Sequence, residues 1–173
     1  EPGAERPVTH LQYDQDNRVI KITHPDGGSV FTDYWPTGEK KSERGARTYP
    51  VRYDYDYAGR MRQLTTWQNA ATGEGEARTQ WLRDHRGRVI QKLYADGQGP
   101  RYTYTPAGRL ASRLWARGIE TKYKYDQAGR LEKTEYSDDT PKIEREYDRV
   151  GRLTKVKEEK INRADFFRLN KNF

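Results

Sequence analysis

Tyr125-Asp126-Gln127-Ala128-Gly129-Arg130-Leu131 is a tight turn spelled out in one heptapeptide, and the same phrase returns at Tyr147-Asp148-Arg149-Val150-Gly151-Arg152-Leu153. An Asp at the head of a turn accepts a hydrogen bond from the amide two residues on, and a Gly three residues later tolerates the left-handed backbone that closes a type I turn. That pairing makes the three-residue hairpin connection. Looser copies occur at Tyr13-Asp14 with Asn17-Arg18, Tyr34-Trp35-Pro36-Thr37-Gly38, Tyr55-Asp56 with Gly59-Arg60, Arg83-Asp84 with Gly87-Arg88, and Tyr104-Thr105-Pro106-Ala107-Gly108-Arg109. The closing position falls at Asn17, Gly38, Gly59, Gly87, Gly108, Gly129 and Gly151, in steps of 21, 21, 28, 21, 21 and 22 residues. Asn is the best substitute for Gly at positive φ, and Pro36 and Pro106 preset the φ of the next turn position. A near-constant period of this length indicates stacked supersecondary units.

The flanks of each turn read as strands. Four residues before the closing position stand Tyr34, Tyr55, Tyr104, Tyr125 and Tyr147, and six before it stand Tyr53, Trp81, Tyr102 and Tyr123. Polar residues (Asp33, Asp54, Thr103, Lys124, Glu146) alternate with them, the period of two of a half-buried strand. The nine aromatics therefore form a ladder on one face, predicted to stack from hairpin to hairpin. Two residues after the closing position come Val19, Lys40, Met61, Val89, Leu110, Leu131 and Leu153, which open the departing strand. Further along, the apolar parity slips (Ile22, Leu64, Trp67, Leu93, Tyr94, Leu114, Trp115, Tyr136), which places a bulge in the departing strand.

A second set of turn signals lies midway: Asp26-Gly27-Gly28, Gly45, Asp96-Gly97, Gly118 and Asp138-Asp139. The chain thus reverses about every ten residues. The one long step, from 59 to 87, carries its seven extra residues around Asn69 to Glu76 and leaves the main turns in phase. The fold class that follows is all-β, an antiparallel curved sheet of consecutive hairpins.

The run Tyr-Asp-x-x-Gly-Arg-Leu, clean at residues 125–131 and 147–153, resembles the YD or Rhs repeat of bacterial Rhs proteins, wall-associated polymorphic toxins, Tc toxin cocoon subunits and teneurins. The resemblance covers residues 8–157. It implies hairpins laid side by side in a sheet that spirals into a hollow shell, often around a toxic polypeptide, in a bacterial secreted or cell-surface protein. Many members close with a core segment containing a self-cleaving aspartyl site; no such segment is seen, and no Asp of this chain inherits that role. Residues 1–7 read as a polar lead-in, the cut end of something longer.

A hydrophobic content of 32%, a charged content of 34% and a mean hydropathy of -1.24 would ordinarily indicate disorder. The repeat reverses that reading, because a stacked sheet needs only one buried face per strand and each Tyr or Trp covers roughly 150–250 Å². Open sheet edges invite self-association. The net charge of +7 raises nucleic acid as a partner, but Arg18, Arg60, Arg88, Arg109, Arg130 and Arg152 all stand just after the turn, where pairing with a neighbouring hairpin's Asp or covering a ring explains them better. Nucleic acid is therefore disfavoured. His10, His24 and His85 lack ligand spacing, the turn Asp residues read as hairpin acceptors rather than a calcium ladder, and no Ser lies in a GxSxG context. The reading assigns no catalytic, cofactor-binding or metal-binding residue, no cofactor and no membrane span.

Beyond residue 157 the period stops, and residues 158–173 read as a tail compatible with a short helical cap. Function follows as a non-catalytic structural module, wall for an enclosed polypeptide. The alternative is an extracellular module whose aromatic face recognises carbohydrate or protein. Burial separates the two: aromatics sealed under a neighbouring layer favour the wall, and aromatics in an open groove favour recognition.

Overall fold

The computed structural model describes residues 6–159. Contacts divide the chain into two units, Glu1–Leu82 with Leu93–Gly97, and Arg83–Lys92 with Gln98–Phe173. Apart from Arg83 and Leu93 at strand ends, the first unit holds β1 (His10–Tyr13), β2 (Val19–Thr23), β3 (Ser29–Tyr34), β4 (Lys40–Gly45), β5 (Thr48–Tyr55), β6 (Met61–Thr66) and β7 (Ala77–Arg83). The second holds β8 (Val89–Leu93), β9 (Arg101–Tyr104), β10 (Leu110–Leu114), β11 (Glu120–Tyr125), β12 (Leu131–Tyr136), β13 (Lys142–Tyr147) and β14 (Leu153–Glu159). Within each unit every strand pairs antiparallel with its neighbour in sequence. The fold is all-β and built of consecutive hairpins. Among the described residues there is no helix; β14 runs through Glu159, and the helix read from the tail composition falls on residues outside the described part.

Each main turn has one form. The closing residue's amide donates to the carbonyl three residues back, as Gly129 does to Asp126, and the head residue's amide donates to the carbonyl four ahead, as Asp126 does to Arg130. Asn17 is the sole non-Gly described residue at positive φ, at 61°, so its short polar side chain tolerates what the glycines adopt elsewhere. The midway turns at His24–Gly27 and Trp115–Gly118 close with the same backbone bond.

In six of the main hairpins the register slips once below the turn, in the departing strand. Tyr125 faces Leu131 while Lys124 faces Lys133, leaving Glu132 as the extra residue. Ile20, Lys41, Arg62, Ala111 and Thr154 are the extra residues in the equivalent hairpins. A bulge directly beneath a left-handed closing residue matches the sharp twist such a turn imposes. It is also why the apolar positions change parity along the departing strands.

Among the described residues no aliphatic, aromatic or methionine side chain is buried; the buried positions are Pro100, Thr32, Thr65, Thr121 and Thr134. Three of these hydroxyls accept hydrogen bonds from side chains lying across them. Thr65 receives Gln63 Nε2 at 3.1 Å, Thr121 receives Trp115 Nε1 at 3.0 Å, and Thr134 receives Arg145 Nη1 at 3.0 Å. A sheet covered by flattened long side chains buries what lies beneath them, and small β-branched residues fit that layer.

Candidate functional site

The arginines after the turn pair with the Asp four residues back in their own hairpin, not with that of a neighbouring one, because the turn brings the two within reach and clips them together. Asp14 Oδ1 accepts the amides of Asp16 at 3.0 Å and Arg18 at 2.8 Å, while Oδ2 accepts Arg18 Nε at 2.7 Å. The pairs Asp56–Arg60, Asp84–Arg88, Asp126–Arg130 and Asp148–Arg152 repeat it, with Nε to Oδ2 distances between 2.6 and 2.8 Å. Both oxygens of each carboxylate are thus engaged by their own turn. The amide of Arg18 holds the Asp14 carboxyl below the usual range, and the Arg60 and Arg152 side chains do the same for Asp56 and Asp148. At Asp126 the Arg130 amide leads. At Asp84 desolvation is the largest influence and pushes upward, and the bonds from Arg88 outweigh it. These carboxylates are turn acceptors with an in-hairpin partner.

Three of the clip arginines, together with Arg109, join one hairpin to the next. Arg18 lies over the ring of Tyr34 at 4.8 Å, Arg88 over Tyr104 at 4.4 Å, Arg109 over Tyr125 at 5.8 Å and Arg130 over Tyr147 at 4.8 Å. Each of these tyrosines donates its hydroxyl back to the earlier hairpin. Tyr34 bonds the Val19 carbonyl at 3.0 Å, Tyr104 that of Val89 at 2.7 Å, Tyr125 that of Leu110 at 2.9 Å and Tyr147 that of Leu131 at 2.9 Å. Ring, guanidinium and carbonyl together make a staple between successive hairpins. The fit at Gly129 is close: a Cβ there would clash with the Arg109 guanidinium.

All nine ladder residues, Tyr34, Tyr53, Tyr55, Trp81, Tyr102, Tyr104, Tyr123, Tyr125 and Tyr147, are half-buried. They are neither sealed nor open. The closing residues Asn17, Gly38, Gly59, Gly87, Gly108, Gly129 and Gly151 all have positive φ, from 61° to 102°. Burial pushes the hydroxyls of Tyr55, Tyr104 and Tyr123 upward. The structure adds members that the spacing missed. Arg113 lies 3.3 Å above Trp115 and 5.7 Å from Tyr102, and Trp35 lies 5.5 Å from Arg52 and 4.9 Å from Lys41. The indole of Trp35, standing where other turns have Asp, donates to the Tyr53 carbonyl at 3.0 Å.

The opposite face of the second unit is ionic. Lys124 pairs with Glu135 at 3.0 Å, Lys133 with Glu135 and Glu144 at 3.1 and 3.3 Å, and Lys142 with Glu159 at 2.6 Å. Cross-strand pairing of opposite charges accounts for part of the high charge content without a ligand. Among the described residues no group of three His, Cys, Asp or Glu side chains is placed to hold a metal, and no helix is long and apolar enough to cross a membrane. His10 and His85 are exposed and His24 sits in a midway turn.

No family model matches this chain, and no curated protein matches it. Among solved structures, a crystal structure of TcdB2-TccC3 shares 13% identity with a TM-score of 0.40, over 89% of this chain and 12% of that one. The crystal structure of TcdB2-TccC3-Cdc42 shares 14% at a TM-score of 0.38, over 89% and 12%. The Tc holotoxin pore of Photorhabdus luminescens shares 15% at 0.32, over 89% of this chain and 11% of that one. The chain spans about an eighth of the length of these proteins at most, and its fold stands on its own strand pairing and turn geometry.

Proposed function

We propose that this chain is a non-catalytic structural repeat module, a section of the wall that encloses or presents a toxin or other cargo polypeptide in a bacterial Rhs-type secreted protein. The observation that carries the reading is the staple. The recurring turn chemistry is spent in bonds within a hairpin or to the next one, which is what a wall needs and what a catalytic site, with groups left poised for substrate, does not show. The Tyr-Asp-x-x-Gly-Arg-Leu resemblance supports the family and, with it, secretion and the enclosed partner.

Recognition of a carbohydrate or protein by the aromatic face is the second reading, and one observation favours it. The ladder is half-buried rather than sealed, and Tyr and Trp faces stack on sugar rings as well as on guanidinium. Titration of the chain with neutral oligosaccharides, read on the indole NMR signals of Trp35, Trp67, Trp81 and Trp115, separates the two. The wall reading predicts no saturable shift at millimolar sugar. Saturable shifts confined to the ladder face would replace it with recognition.

A further inference from the structure

At one step of the repeat the staple lacks its cation. The residue after Gly38 is Glu39, where the other main turns carry Arg, and the head of that turn is Trp35 rather than Asp or Thr. Glu39 reaches toward the following turn as the arginines do. Its Oε1 lies 3.2 Å from the Cβ position of Gly59, while Arg88 and Arg130 lie 3.9 and 3.8 Å from those of Gly108 and Gly151. The Thr37 hydroxyl and the Glu39 amide bond its carboxylate and hold it below the usual carboxylate range, but one oxygen, Oε2, is buried and has no hydrogen-bond donor. The ring that should be covered is Tyr55, and among the described residues its hydroxyl makes none of the bonds to a carbonyl fifteen residues back that Tyr34, Tyr104 and Tyr125 make.

Beside this gap lies a recess of about 460 Å³, lined by Trp35, Glu39, Asp54, Tyr55, Asp56 and Arg62 among others. Asp54 and Asp56 already hold Arg52 and Arg60, at 2.9 and 2.8 Å. Glu39 is left as the carboxylate without an ion-pair partner, and Arg62, exposed on the rim, makes no ion pair with it. A buried carboxylate oxygen without a donor is costly, and a guanidinium supplies planar donors together with a face that stacks on aromatic rings. We propose that this recess takes the guanidinium of an arginine side chain from a partner polypeptide. Glu39 accepts its N–H groups after a small rotation, and the Tyr55 and Trp35 rings flank it, so a partner supplies in trans what the other turns supply in cis. The argument is independent of the wall reading, since it rests on the break in the repeat alone.

The test is a titration of the chain with Nα-acetyl-arginine amide and with the acetyl amides of lysine and of citrulline, the neutral isostere of arginine. It is read on the Trp35 indole signal, assigned by its loss in Trp35→Phe. The expected result is saturable binding of the arginine compound with a dissociation constant on the order of millimolar, weaker binding of lysine and none of citrulline. Glu39→Gln is expected to weaken binding about 10-fold or more, equivalent to the loss of one charge-assisted contact. Glu39→Arg fills the recess from within and is expected to abolish binding while keeping the dispersed amide spectrum of the parent chain. Arg62→Gln removes the rim cation and is expected to preserve or tighten binding. Equal affinity for citrulline, or unchanged binding in folded Glu39→Gln and Glu39→Arg, would overturn the proposal, as would no saturable binding by the parent chain.

Discussion

Tyr125 carries two jobs through one side chain: its ring lies under Arg109 and its hydroxyl bonds the Leu110 carbonyl at 2.9 Å. Tyr125→Phe keeps the ring and removes only the hydroxyl, so the expected cost is about 1 kcal/mol, the net value of one partly buried hydrogen bond. Tyr55→Phe removes a hydroxyl with no such bond and is expected to cost well under half of that. Denaturant unfolding of the two variants measures the difference directly, and equal losses would mean that the tyrosines act through their rings alone. At this scale the sequence spacing was highly informative. It pointed to turn acceptors and to ladder tyrosines, because one hairpin period ties the turn to the parity of the approach strand. It did not reveal which Asp each Arg would choose or which ring it would cover. The turn closes a ring of bonds on its own Arg, and the residual reach of the guanidinium decides the neighbour; neither distance can be read from spacing in one dimension. Arg113, flattened over Trp115, follows no period and had no signal to find it by.

Five of the main turns carry a carboxylate clip, and the clip has a pH signature. The carboxyls of Asp14, Asp56, Asp126 and Asp148 are held below their ordinary value by bonds from the following Arg. Their folded pKa values are below the unfolded ones, so the clips stabilise the chain above the unfolded carboxylate range of about 4 and lose that contribution as pH falls through the folded values. Thermal midpoints are expected to stay level from neutrality down to that range and to fall beneath it. Replacing the clip aspartates with Asn should flatten that acid limb. A midpoint that rises on acidification would contradict the clip as a stabilising element. The turn at Thr105-Gly108 has a hydroxyl in place of the carboxylate, with the Arg109 amide at 3.1 Å from Oγ1, and contributes no such titration. The bulges were legible as a slip in apolar parity, whereas the ion pairs on the face opposite the ladder were not, because the strand offsets that bring Lys133 to Glu144 are set by the loops between hairpins.

Taken as a whole molecule, the chain reconciles a charged, poorly hydrophobic composition with regular structure by distributing its cohesion. No described aliphatic, aromatic or methionine residue is buried; Pro100 and four threonines are, and three of those threonines are bonded beneath arginine, glutamine and tryptophan. Such a sheet gains stability hairpin by hairpin through clips and staples between near neighbours, as expected of a repeat. The proposed wall role and the proposed site at Glu39 both rest on that arrangement: the stapled steps support the wall reading, and the step without its staple offers a partner's side chain a place to enter. The central claim is that polar clips and ring-to-guanidinium staples, not an apolar core, hold the hairpins together. Apolar exposure raises the heat capacity of unfolding and polar exposure lowers it, so scanning calorimetry reads the balance directly. The account predicts a heat-capacity change clearly below the usual ~12–15 cal/mol/K per residue, counted over residues 6–159, and a value at or above that range would contradict it.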